Sequence, residues 1–276
     1  MNLFNLLLKH TLSKLLIIIY FGLLIFWMWI FVSGSKEGLV NNIYGALYPI
    51  ISLIAGTYGL FIVSKEWGGL KSVLGKGVIF LSLGLLAQVF GQWTWSYYTI
   101  IAGVEIPYPS VADVGYFLIV PFYILAMFNF AKAAGIKVGL KNFSGKLQAV
   151  IIPLLMIAVA YILFLRGIEV DFINEPIRTF LDFGYPGFEA IAISIGILTY
   201  SLSRGILGGR MRSRILYFVF ALVAAYITDY TFLYLVGIEE YYNAGPVDLM
   251  YTTSFLIMSL GLISLTYQRE EDYKLK

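Results

Sequence analysis

Eight apolar runs dominate this chain, each close to the length a helix needs to cross hydrocarbon (about 20 residues), and they leave it few folds. They fall near residues 15–32, 43–64, 77–99, 112–134, 147–166, 185–203, 214–236 and 247–267. A segment in lipid finds no water for its backbone polar groups, so it must be a helix or part of a closed barrel. The period-2 alternation of barrel strands is absent. The expectation is therefore an all-α integral membrane protein of eight transmembrane helices. A composition of 60% apolar and 13% charged residues agrees, lying far from the soluble average. The first run holds about 18 apolar residues, more than the 7–15 of a signal-peptide core, and is read as a retained helix. Residues 1–14 then form a cytoplasmic or interfacial arm, 15–267 the transmembrane domain and 268–276 a short cytoplasmic tail. With no soluble domain expected, function falls to the membrane region or to a partner.

Charge sets the expected orientation. The breaks after the second, fourth and sixth runs hold Lys65, Lys71, Lys76; Lys132, Lys137, Lys141, Lys146; and Arg204, Arg210, Arg212, Arg214. Lys9 and Lys14 precede the first run, and Arg269, Lys274 and Lys276 follow the last. Only Lys36, Arg166 and Arg178 belong to the other side. By the positive-inside rule both termini are cytoplasmic. The basic loops face anionic headgroups of the lipid bilayer, so nucleic acid is not needed to explain them.

The outer connections carry a repeat. Gly-(Ile/Val)-Glu is followed by Asp-x-x-Tyr three times: Gly103 to Glu105 with Asp113 and Tyr116, Gly167 to Glu169 with Asp182 and Tyr185, and Gly237 to Glu239 with Asp248 and Tyr251. A degraded copy runs from Gly34 to Glu37, then Tyr48. The unit is a hairpin of two apolar helices, repeated four times, with its acids on the outer face. Asp113, Asp182 and Asp248 are expected at equivalent positions. Each also has a plainer role, as a cap for the free N–H groups of a helix start. Glu105, Glu169 and Glu239 follow a glycine that can end a helix, and read as loop charges. Tyr108, Tyr241 and Tyr242 suit an interfacial aromatic belt.

Polar residues within spans are costly in lipid and are functional candidates. Asp229 is expected to share a helix face with Tyr226, Tyr230 and Tyr234. Tyr185, Glu189, Gly196 and Tyr200 form a stripe on the sixth helix. Gln88, Gln92, Trp95 and Thr99 do so on the third, and Asp248, Tyr251, Thr252, Phe255 and Ser259 on the eighth. If the hairpins surround one axis, these stripes line an outward pocket with an acidic mouth and aromatic walls. Asp229 and Glu189 begin no helix in this reading; their plainer role is a hydrogen bond holding helices together. Arg166 is expected to snorkel or to pair with Glu169, Asp182 or Glu189. Pro121 interrupts the fourth helix, whereas Pro153 and Pro186 are placed in first turns.

An enzyme is not expected. The single histidine, His10, lies outside the predicted bundle, and cysteine is absent, so the usual zinc and thiolate ligands are missing. No H-E-x-x-H, G-x-S-x-G or P-loop motif occurs, no lysine lies mid-helix for a Schiff base, and no cofactor is implied.

Pro109-Ser110-Val111-Ala112-Asp113-Val114-Gly115-Tyr116, with Pro121 beyond it, resembles a stretch of the multi-helix membrane region that precedes GGDEF, EAL or histidine-kinase domains in bacterial signalling proteins. Val120 stands where that stretch has a tyrosine. Leu181-Asp182-Phe183-Gly184-Tyr185-Pro186-Gly187-Phe188-Glu189 is similar to a second stretch, Asp-x-x-Tyr-Pro-x-x-Asp, with Glu189 as the second acid. The resemblance implies a membrane sensory module. Without an output domain, such a module would signal through a separate cytoplasmic or membrane partner.

Three functions follow as expectations. The first is a receptor taking a small cationic or amphiphilic ligand through cation–π contacts and carboxylates. A cation or proton transporter built on intramembrane carboxylates is the second. In the third, the chain is a membrane scaffold. A transporter calls for polar lining on both sides of a barrier, yet Ser52, Ser82, Asn129 and Ser194 are the few polar interruptions of the inner halves.

Overall fold

The computed structural model describes residues 10–104, 106–136, 140–163, 166, 171–203 and 209–266. The arm's Leu3, Phe4, Leu7 and Leu8, the tail 268–276, and Glu105 and Glu169 lie outside them. Eight helices long and apolar enough to cross a membrane are present, with no strand among the described residues. They are α1 (Thr11–Ser33), α2 (Leu39–Glu66), α3 (Val73–Ala102), α4 (Val111–Ala133), α5 (Phe143–Leu163), α6 (Pro176–Ser203), α7 (Gly209–Gly237) and α8 (Pro246–Ser264). The chain is a multi-pass membrane protein.

Two helices are irregular. α2 breaks at Tyr48 and Pro49 and carries a π-helical turn over Gly59–Val63. α3 ends in another, Tyr97–Ala102. The start of α6 differs most from expectation. It begins at Pro176, so Tyr185 and Pro186 lie well inside the helix rather than in its first turn. α5 likewise starts at Phe143 and encloses Pro153. In both helices the opening turns are polar or charged, and hydropathy alone does not register them.

Burial ranks the helices. In its most apolar window α8 is 72% buried, against 17% for α1 and 11% for α5. α8 is thus the central post, touching α1, α2, α3 and α7, while α1 and α5 form the flanks. Ile18, Phe21, Ile25 and Val32 on α1, and Val150, Leu154, Leu155 and Ile162 on α5, point outward. Such apolar exposure is tolerable where lipid is the solvent.

The α3–α4 hairpin is set by a ladder of small against large residues. Gly77, Gly84 and Gly91, seven apart, receive the rings of Phe130, Tyr123 and Tyr116, also seven apart on the antiparallel helix. A Cβ on Gly77 would stand 2.7 Å from the Phe130 ring, and one on Gly91 2.8 Å from Tyr116. Gly115 brings the α4 backbone against that of α3 at Gly91 and Ala87. Without a hydrophobic drive between helices in lipid, close approach over small residues is the main source of attraction. Phe130 then stacks on Phe218 of α7, ring centres 5.2 Å apart.

Candidate functional site

The polar residues nearest the α1–α2, α3–α4, α5–α6 and α7–α8 connections, the side expected to be outer, close a network on themselves. Ser110 caps α4, and Asp113, three residues on, accepts the Ser110 N–H at 2.6 Å, completing a capping box. Asp248 stands three residues after the N-cap Gly245 of α8 and accepts the Ala244 N–H at 2.7 Å. Each aspartate also accepts a tyrosine hydroxyl at 3.1 Å, Tyr185 onto Asp113 and Tyr241 onto Asp248. The two positions correspond in outline, although Asp113 bonds the N-cap residue itself and Asp248 the residue before it. Asp182 does not correspond, because α6 starts earlier and leaves it in the second turn; it accepts the Tyr108 hydroxyl at 2.6 Å. Arg178, rather than the exposed Arg166, is the base beside it, at 3.9 Å.

Tyr108 and Tyr241 both spend their hydroxyls on carboxylates, the first on half-buried Asp182 and the second on buried Asp248, while Tyr108 itself stays 46% exposed. Burial first, then Asp182, pushes the Tyr108 hydroxyl above its ordinary value; burial and then Asp248 do the same for Tyr241. Two of the three belt candidates meet a cation: Lys36 lies 5.6 Å above the Tyr242 ring and the Arg178 guanidinium 5.8 Å above that of Tyr108.

Behind these aspartates sits a second group. Gln92 Oε1 accepts hydroxyls from Tyr48 of α2 and Tyr116 of α4, each at 2.7 Å. Trp95 donates to Asn243 Oδ1 at 3.3 Å, and Asn243 donates to Asn42 Oδ1 at 2.7 Å. Asn41 donates to the Asn243 carbonyl at 2.9 Å, and the Tyr44 hydroxyl meets that of Thr252 at 2.9 Å. Tyr48, Asn41, Asn42 and Asn243 were not among the expected site residues. Tyr48, in the degraded repeat, was the one available signal.

Deeper and to one side, α6 and α7 bring Glu189 and Asp229 into hydrogen-bond contact. A hydrogen bond between two carboxyl groups requires one proton between them. Tyr251 of α8 adds its hydroxyl to Asp229 Oδ1 at 2.5 Å. Its ring stacks on Phe255 and meets Phe232 edge-on, which in turn packs on Tyr241 of the outer network. Tyr226 and Tyr230 bond each other within electrostatic reach of Glu189. Tyr234 is 64% exposed, so the expected tyrosine stripe beside Asp229 ends at Tyr230.

The single pocket expected from the stripes is thus three clusters. Asp113, Tyr185 and Asp182 form one between α4 and α6. Gln92, Tyr116, Trp95 and Asp248 form the central one. Glu189, Asp229, Tyr251, Tyr226 and Tyr230 form the deep one. Among the described residues no three acids or histidines gather as a metal site would need. Three of the four polar residues of the inner halves turn back on their own helices, Ser82 onto the Val78 carbonyl, Asn129 onto Leu125 and Ser194 onto Ala190, whereas Ser52 has no partner. The chain matches no family model, no curated protein and no solved structure.

Proposed function

We propose that this protein is a membrane-embedded sensory module, not an enzyme, and that it binds a small cationic ligand at Glu189 and Asp229. One observation carries the reading: two carboxyl groups from neighbouring spans contact each other inside the apolar layer, where neither caps a helix. Such a pair holds its place with one proton, and an ammonium group can replace that proton while adding N–H donors. The Tyr226, Tyr230, Tyr251 and Phe232 rings around it suit a cation. The resemblance of the Asp113 and Asp182 segments to sensory membrane regions supports a signalling role, with a separate partner receiving the signal.

Full-length protein in detergent, titrated with alkylammonium ions from ammonium to trimethylammonium, tests this by thermal unfolding. A saturable stabilisation lost in Glu189→Gln and Asp229→Asn supports the reading; equal responses in all three proteins contradict it.

The shared proton also favours a second reading, a proton-coupled transporter. The inward half weighs against it, because Ser82, Asn129 and Ser194 bond back to their own helices, which leaves Ser52 alone of that set without a partner. Proteoliposomes with an internal pH dye separate the two: an ion-driven pH change abolished by Asp229→Asn favours transport, and a static signal favours the sensor.

A further inference from the structure

Inward of the carboxyl pair, buried polar atoms without any partner gather at one level of the bundle. Gln88 is 1% exposed, and both its Oε1 and its Nε2 lack a hydrogen bond. Ser52 Oγ, Tyr123 Oη and Ser259 Oγ are also unpartnered, on residues no more than 4% exposed. Buried polar groups almost always find protein or ordered water, and an orphan in an apolar interior is expensive. Several at one level call for a common explanation.

The packing register places them together. On α2 and α3, Gly45 lies against Gln92 and Gly59 against Ser82. Ser52, midway between the two glycines, therefore faces the α3 turn that holds Gln88. On α8 the same level falls between Thr252, bonded to Tyr44, and Leu262, packed on Gly59; that interval includes Ser259. From α4, the Tyr123 ring lies on Gly84, one turn from Gln88. Helical side chains lean toward their own N-terminus, which on antiparallel α4 carries the Tyr123 hydroxyl toward Gln88. Gln92, one turn along the same face as Gln88, already takes hydroxyls from α2 and α4. Tyr123 Oη is within electrostatic reach of Asp229, so this level adjoins the carboxyl pair.

We propose that Gln88, with Ser52, Tyr123 and Ser259, forms a buried binding site for an uncharged hydrogen-bonding group, an amide or a hydroxyl. The chemistry of the set argues for a neutral occupant. A primary amide offers two donors and an acceptor, each hydroxyl offers both roles, and none of the four carries a charge. An amide-bearing ligand matches Gln88 atom for atom, donating to Oε1 and accepting from Nε2. A ligand reaching from the carboxyl pair into this level would carry its cation and its neutral polar group roughly one to two helical turns apart, about 5–11 Å. The neutral site stands whether or not the pair takes a cation.

Thermal unfolding of the full-length protein in detergent, titrated with acetamide and separately with trimethylammonium, tests it. Acetamide should raise the unfolding midpoint saturably. That rise should vanish in Gln88→Leu and shrink in Tyr123→Phe, which keeps the ring on Gly84, while the trimethylammonium response persists in both. Gln88→Leu should itself be no less stable than wild type without ligand, because it removes two orphaned atoms. No saturable acetamide response in wild type, as expected if Gln88 holds only water, overturns the proposal, and so does an equal response in Gln88→Leu. Failure of the carboxyl-pair reading looks different: trimethylammonium is then without effect on wild type, whatever acetamide does.

Discussion

Asp248 and Asp229 are both aspartates on neighbouring helices of one hairpin, yet they are held in opposite ways. Asp248, at the outer end of α8, spends one oxygen on a backbone N–H and the other on a tyrosine from its own connecting loop. Asp229 has a tyrosine hydroxyl and a second carboxyl group as its partners. The first arrangement completes a helix start, and removing the acid leaves the buried Ala244 N–H stranded. The second puts two groups of the same kind in contact, which no rule of helix construction requires. On the proposed function, position along the span separates acids that build the bundle from acids that bind a ligand.

The sharpest way to break this contrast is to delete each acid and compare stabilities. Asp248→Ala strands the buried Ala244 N–H, while the Tyr241 hydroxyl keeps Asn243 Oδ1 at 3.2 Å, and should cost about 1–3 kcal/mol for the orphaned donor. Asp113→Ala should cost about 1 kcal/mol, a typical cap loss, because Ser110 still caps α4 through the Ala112 N–H. Chemical or thermal unfolding in a fixed detergent measures both. If Asp248→Ala proves neutral, the outer acids are not structural and the contrast collapses.

Glu189→Gln sharpens the same comparison from the other side. A glutamine amide can donate to Asp229 in place of the shared proton, so stability should change by less than about 1 kcal/mol. Its ammonium response should nevertheless be lost. A large destabilisation would make the pair a packing device, as in the scaffold reading.

The smallest effect concerns an acid outside both classes. In the α5–α6 connection, the Asn174 backbone N–H, then its side-chain amide and the Ile173 N–H, hold the Asp171 carboxyl below the usual carboxylate range. A carboxyl lowered in the folded state stabilises above its unfolded value, about pH 4. That contribution is lost as pH falls through the folded value. Asp171→Asn should therefore slightly flatten the acid limb of the stability profile and leave ligand responses untouched.

Much of this contrast is visible in the sequence, and the parts that are not have physical reasons. Apolar length alone gives the eight spans, because lipid imposes it. The α3–α4 ladder is written as glycines and aromatics seven apart, but only the antiparallel pairing gives the two spacings a common meaning. Boundaries fail at α6, where Arg178 and Asp182 extend a helix beyond its apolar part. The Asp-x-x-Tyr repeat marks the outer acids, yet not their partners. Asp113 takes Tyr185 from the next hairpin, and Asp182 takes Tyr108 from the previous one. Asp229 and Glu189 stand out as mid-span acids; their contact depends on how α6 and α7 pack, which neither helix encodes alone. Gln88 is visible as a polar residue in a stripe, but its lack of partners is a property of the packed core.

The central claim is that the deep acids serve a ligand and the outer acids serve the fold. Its most direct test is one trimethylammonium titration, followed by thermal unfolding, across wild type, Glu189→Gln, Asp229→Asn and Asp248→Asn. The account predicts a saturable response in wild type and in Asp248→Asn, the latter from a lower starting midpoint, and none in Glu189→Gln or Asp229→Asn. A response that survives in both deep variants, or that disappears only in Asp248→Asn, would contradict it.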